Sequence, residues 1–189
     1  MRTIVQEGTP VLRGKAEDVP VADIQSEHSQ TLISEMKALL EKEAYGVALA
    51  APQVGEPIRL FIVAGAWLAK DARGKKDPSD EPEPSRRGEA EADQVYINPI
   101  LLKISRNKKG KHEGCLSIRG KWGIVPRAEK AMVRAYDEKG QEFTRGASGF
   151  LAHIFQHELD HLDGILYVDK AKELYDDVPG QIGRVENHE

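Results

Sequence analysis

An α+β fold is predicted by three observations. Strand-like and helix-like runs do not alternate regularly along the chain, as a doubly wound parallel sheet would require. Residues 132–136 and 142–145 are β-rich runs joined through Asp137-Glu138-Lys139-Gly140, the pattern of an antiparallel hairpin. Residues 150–162 place Phe150, Leu151, Ile154, Phe155, Leu159 and Leu162 around most of a helical circumference, as a buried helix does. Antiparallel sheets packed around a buried central helix are the architecture that follows.

Taken in order, Leu32, Ile33, Met36, Leu39 and Leu40 share one face of a first amphipathic helix. Small residues from Ala48 to Ala51 precede Gln53 and predict a strand or turn that can lie close to a ligand. Residues 59–63 read as a strand, and so do 100–105. Between them, 70–93 is dense in charges of both signs, carries Pro78, Pro82 and Pro84, and has almost no large apolar side chain, so it is expected to be an exposed, mobile insertion. Ser148 or Gly149 is positioned to cap the second helix and Gly164 to end it. Residues 170–189 are polar and interrupted by Pro179 and Gly180, and this tail is expected to fray.

At 189 residues and 40% hydrophobic content the chain can bury one respectable core, so 1–169 is read as a single catalytic domain followed by the tail. Nothing at residues 1–6 resembles an apolar leader, no run is long enough to cross a bilayer, and there is one cysteine, which predicts a cytoplasmic protein without disulfides. A net charge of −4 with mixed signs offers no basic stripe, and there is no phosphate-cradling glycine loop, so neither nucleic-acid nor membrane binding is expected. A monomer is the working assembly.

Chemistry is concentrated in Gln156-His157-Glu158-Leu159-Asp160-His161. On a helix, His157 and His161 fall on one face a turn apart and can grip a single ion, while Glu158 lies beside it without binding. A catalytic site of this type needs a third protein ligand and keeps a position open for water. His153 shares the face, but the outer two of three such rings lie roughly 12 Å apart along the axis and cannot surround one ion. It is read as a pocket or core residue. Cys115, in His112-Glu113-Gly114-Cys115-Leu116-Ser117, is a candidate, as is His112 from the same stretch; a buried apolar role for the thiol and a solvated one for His112 compete with ligation.

Three blocks stand in order: 46–55 (GVALAAPQVG), 113–117 (EGCLS) and 156–164 (QHELDHLDG). Together they resemble peptide deformylase, and the likeness runs from about Thr3 to Asp169, including Tyr96-Ile97-Asn98-Pro99 and Val125-Pro126-Arg127. The resemblance implies one divalent metal per chain held by Cys115, His157 and His161, expected to be iron(II), with zinc or nickel able to substitute. It implies that hydroxide generated at the metal attacks the formyl carbon of an N-formylmethionyl peptide or nascent chain, with Glu158 as general base and then acid, releasing formate. By the same resemblance the oxyanion is expected to be met by the Gln53 amide, the Leu116 backbone N–H and the metal, and Gly46, Val47 and Ala48 are expected to bind substrate. Glu113, Arg127 and Asp160 are candidates for a buried charge network behind the ligands.

Three positions depart from the family pattern: Ala48 replaces the usual second glycine of the first block, Arg119 stands where proline commonly follows, and His153 takes a place where arginine or an aliphatic residue is frequent. Trp122 follows Arg119 in a charged turn expected at the cleft rim. A polar tail in place of the long C-terminal helix that assists ribosome docking in some relatives leaves only a transient ribosome contact expected. The competing readings are a deformylase-like metal binder with altered substrate or no turnover, and a zincin-type metallopeptidase drawing a third ligand from Asp169 or Glu173.

Overall fold

The structure is a computed structural model that describes residues 2–65, 67–68 and 92–176. The expected insertion 70–93 lies outside the described residues but for its last two, and so does the tail from 177 onward. Among the described residues, eight strands form two antiparallel sheets. β1 (Ala48–Ala50), β2 (Leu60–Val63), β3 (Gln94–Ile104), β6 (Lys130–Tyr136) and β7 (Glu142–Ser148) make the first, in the order β1-β2-β3-β6-β7. β4 (Lys108–Cys115), β5 (Ile118–Ala128) and β8 (Glu173–Asp176) make the second, with β5 in the middle. The two long helices among the described residues are α1 (Glu27–Lys42) and α2 (Gly149–Leu162).

The first sheet is covered on both faces. Leu32, Ile33, Met36 and Leu40 of α1 cluster with Leu60, Ile62, Val95 and Ile97. On the other face Leu151, Ala152, Phe155 and Leu162 of α2 cluster with Phe61, Val63, Tyr96 and Val133. All four residues of β2 are buried, which is why that strand reads as an unbroken apolar run and not as an alternation. Phe61 stacks on Tyr96 at 4.5 Å between ring centroids, and Tyr96 meets Phe155 edge-on at 5.2 Å, so three rings join strand, strand and helix.

α2 is pinned to β5 by Gln156. Its side-chain carbonyl accepts the Ala128 N–H at 2.9 Å and its amide donates to the Ala128 carbonyl at 3.0 Å, reproducing a strand partner from a helix. The expected cap at Ser148 makes no side-chain hydrogen bond; Gly149, at φ 59°, instead donates its N–H to the Glu129 carbonyl at 3.1 Å. Beyond the last turn Gly164 has φ 73°, and a Cβ there would sit 2.6 Å from the Arg13 carbonyl oxygen, so only glycine lets the N-terminal segment cross the helix end. The Ala16 N–H then donates to the Leu162 carbonyl at 2.8 Å.

Two expectations change. The tail does not fray over Glu173–Asp176, which pairs with β5, because Gly123 has no side chain and Leu174 can pack directly over it, while the Lys172 N–H donates to the Ile124 carbonyl at 2.8 Å. The supposed turn around Arg119 and Trp122 belongs to β5, and Trp122 pairs with Tyr175 of β8.

β3 also starts earlier than the strand expected over 100–105, and its pairing with β6 shifts register between Ile97 and Ile100, as at a bulge. Asn98 sits at φ 51°, its side-chain oxygen accepts the Val19 N–H at 2.8 Å, and its amide donates to the Val19 carbonyl at 2.7 Å. Replacing Asn98 by alanine removes both bonds and leaves a left-handed residue with a Cβ, and is expected to cost about 2–3 kcal/mol of unfolding free energy. Asn98→Gly, which loses the bonds but tolerates the backbone, should cost roughly half as much. Urea unfolding of the two variants measures the difference; equal losses would mean that the left-handed backbone is not part of the cost.

Candidate metal centre

α2 and the β4–β5 hairpin meet end to side. Cys115 pairs with Ile118 across a two-residue turn, Leu116-Ser117, so the thiol is carried at the tip of a tight hairpin and not on a free loop. His157 and His161 project from one face of α2, with ring centroids 4.9 Å apart. The Cys115 Sγ lies 3.2 Å from His161 Nε2, and one ligand atom from each of Cys115, His157 and His161 falls within 4.8 Å of the other two. Bond lengths of thiolate and imidazole to a tetrahedral ion give ligand–ligand edges of roughly 3.3–3.6 Å, so this donor set fits a single metal with little movement. Among the described residues it is the one cluster of three or more His, Cys, Asp or Glu able to do so.

His112 is not part of the cluster; its Nδ1 meets the Tyr175 hydroxyl. Asp169 is occupied elsewhere, accepting from Arg13 at 2.5 Å and from the Leu166 N–H at 2.8 Å, and Glu173 is exposed on β8. The third ligand of a zincin reading therefore has no source in those two residues.

Behind the ligands, Glu113, Arg127 and Asp160 form the expected buried network. Arg127 Nε and Nη2 donate to the two oxygens of Glu113 at 2.6 and 2.9 Å, and Nη1 donates to Asp160 at 2.6 Å. Lys170 donates to the other oxygen of Asp160 at 2.6 Å. His157 Nδ1 lies 2.9 Å from Glu113 Oε2, which leaves Nε2 of that ring for an ion. Burial by itself would raise the Glu113 carboxyl, but the hydrogen bonds from Arg127, His153 and His157 hold it well below the usual carboxylate range. Burial also pushes the Cys115 thiol up, yet the His161 and His157 rings beside it bring it down to about 5, so the sulfur is a thiolate at neutral pH and ready to ligate.

Glu158 is 4% exposed and its Oε2 has no hydrogen-bond partner among the described residues. Burial raises its pKa, against the pull of His157 and His161, as suits a group that must take and return a proton near neutrality. Gln53 is buried as well. Its side-chain oxygen is taken by the Ala50 N–H at 2.9 Å, which turns the amide nitrogen toward Cys115 Sγ at 3.4 Å and Ser117 Oγ at 3.2 Å. Leu116 is next in the same hairpin turn, and its carbonyl accepts from Gln6 at 3.1 Å.

Gly46 packs against the end of α1, where a Cβ would come within 2.8 Å of Leu40, and Val47 and Ala48 lead into β1, an edge strand paired only with β2 among the described residues. Arg119 donates to Glu43 at 3.0 Å, bridging the hairpin to the segment that follows α1. The structural parts of Gln156, Ser117 and Gln6 were not assigned from the sequence; Gln156 and Ser117 stood inside the quoted blocks, but only tertiary contacts reveal what their side chains hold.

The family model described as Polypeptide deformylase matches residues 1–177. The chain is 39% identical to the chloroplastic/mitochondrial peptide deformylase 1A of Arabidopsis thaliana over 88% of its own length, and spans 60% of that relative's length. It is 35% identical to the peptide deformylase of Desulforudis audaxviator, with 91% of this chain and 94% of the relative covered. Among solved structures, a class I type b peptide deformylase of Acinetobacter baumannii with Met-Ala-Ser bound superposes with a TM-score of 0.74 at 31% identity, over 90% of this chain and 98% of that one. The chain belongs to the peptide deformylase family.

Proposed function

We propose that this protein is a metal-dependent hydrolase that removes the N-formyl group from the formylmethionine at the start of newly made peptides, leaving formate and a free amine. The observation that carries the reading is the convergence of Cys115, His157 and His161 on one point beside the unpartnered carboxylate oxygen of Glu158. A divalent metal held by those three residues would supply Lewis-acid polarisation and a water acidic enough to act as a nucleophile near neutral pH. Iron(II) is the ion we propose, with zinc or nickel substituting, since thiolate and imidazole donors suit this group of metals.

The remaining work falls to the chain's own side chains. Glu158 accepts the proton of the attacking water and returns it to the departing amine nitrogen, so one carboxyl serves both halves of the reaction. Gln53, with its amide fixed by Ala50, and the Leu116 N–H would donate to the oxygen of the formyl group as it becomes negative. The segment from Gly46 to Ala48, which runs into the edge strand β1, is where a peptide in extended form can add by backbone hydrogen bonds. The Acinetobacter relative was solved with Met-Ala-Ser bound, a peptide that begins with methionine as the product of this reaction would. Nascent chains in the cytoplasm are the proposed partner, met through a transient ribosome contact by a monomer; a lone thiol kept free for ligation suits a reducing compartment. No helix of the described residues is long and apolar enough to cross a membrane.

Anaerobically purified, iron- or nickel-loaded protein should release formate from a formyl-Met tripeptide. Glu158→Ala should retain its metal and lose about 10²–10⁴ of the rate, the range expected for a proton-transfer group. A metal-replete parent that releases none would overturn the proposal in favour of a metal binder without turnover. Gln53→Ala should lower kcat by about 10²–10³ with KM little changed, because its donor acts on charge that appears only in the transition state. Cys115→Ala should lose the metal on dialysis; metal retained at parental stoichiometry would restore the zincin alternative.

A further inference from the structure

His153 is 4% exposed and does not belong to the ligand set, yet its Nε2 lies 2.5 Å from Glu113 Oε1. That oxygen also receives Arg127 Nε, while Oε2 receives Arg127 Nη2 and His157 Nδ1. An ionised carboxylate has about four acceptor sites and no donor, so Glu113 is saturated by four N–H groups. The accounting fixes both rings: His157 carries its proton on Nδ1 and His153 carries its proton on Nε2. The Nδ1 of His153 is then a bare lone pair, and it is buried with no hydrogen-bond partner among the described residues. Phe150 meets the ring edge-on at 5.7 Å between centroids, at 87° between planes, which holds the ring in the orientation that aims Nε2 at Glu113.

We infer that His153 is a positioning residue for the metal centre, whose single N–H locks the Glu113 carboxylate in the rotation that aims His157 at the ion. The inference rests on the metal-dependent reading proposed above. A ring kept only for packing would leave no reason to bury an unsatisfied nitrogen where an aliphatic side chain of similar size would fit. With the N–H removed, Glu113 keeps its two-point bond to Arg127, but Oε1 loses one of its two donors, so the carboxylate can tilt and slip against the guanidinium and carry the His157 hydrogen bond with it.

The test uses the full chain, stripped of metal under anaerobic conditions and titrated with cobalt(II), whose absorption reports tetrahedral thiolate ligation. Partners of metal-bound histidines typically change affinity by about 10–100-fold, and His153, acting through one of them, is expected at the lower end. His153→Leu should weaken cobalt binding about tenfold and shift the visible bands, while the melting temperature of the metal-free protein changes little. His153→Gln, whose amide nitrogen reaches the place of Nε2, should bring affinity and spectrum back toward those of the parent. Unchanged affinity and bands in His153→Leu would overturn the inference, and so would a loss that His153→Gln shares in full, since the ring would then act by packing alone. A parent that binds no cobalt would sink the metal reading and this one with it, whereas the first two outcomes sink only this one.

Discussion

The ion pair between Arg127 and Glu113 is the interaction on which the site depends. Arg127 is 4% exposed and Glu113 3% exposed, so neither charge has water to lean on. Such a pair is no guarantee of stability, because desolvation offsets most of the attraction, but removing one partner strands the other at a cost of about 3–5 kcal/mol. What the pair provides here is placement. Glu113 belongs to β4 and Arg127 to β5, and Arg127 reaches on to Asp160 of α2, so one guanidinium ties the second sheet to the helix that carries two ligands.

The division of labour between the elements follows from their stiffness. α2 is buried between the first sheet and β5, and its rings cannot drift while Phe155 is locked against Tyr96 and Gln156 is bonded to Ala128. The hairpin supplies what a helix cannot, a thiolate followed at once by a backbone N–H, because a two-residue turn brings Cys115 and Leu116 to the same tip. An ion bridging Cys115 to His157 and His161 would therefore join hairpin and helix a second time, and binding it would add to the stability of the fold as well as to its chemistry.

Much of this was legible in the sequence, and unevenly so. α1 follows the apolar periodicity of a helix, β2 is a short unbroken apolar run, the β6–β7 hairpin shows as two β-rich runs around Asp137-Glu138-Lys139-Gly140, and the ligand helix announces itself through two histidines four apart. β4 was not legible, because Lys108-Lys109-Gly110-Lys111-His112 has no apolar alternation; it is mostly exposed and exists through its ladder to β5. β8 escaped for a related reason, its pairing being decided by a missing side chain at Gly123 on another strand. Cys115 could not be chosen over His112 by spacing alone; the resemblance chose it, and the geometry is consistent, with His112 turned toward Tyr175. The role of His153 was invisible, since nothing local states that Glu113 lies opposite it across forty residues of chain.

Buried polar atoms without partners are uncommon in stable folds, and where they occur they call for a reason. Among the described residues these atoms are His153 Nδ1, Glu158 Oε2 and His161 Nδ1, and all of them lie on α2. No such side-chain atom arises on α1 or in the first sheet among the described residues. The helix thus combines close aromatic packing with the unsatisfied buried side-chain atoms of the described residues, and the first makes the second tolerable: the aromatic cluster of Phe61, Tyr96 and Phe155 stabilises the helix enough to hold Glu158 away from water. A carboxylate with a free oxygen at the protein surface would be solvated and weakly basic. Held dry beside two imidazoles it keeps its affinity for a proton, which is the property that hydrolysis at this centre requires.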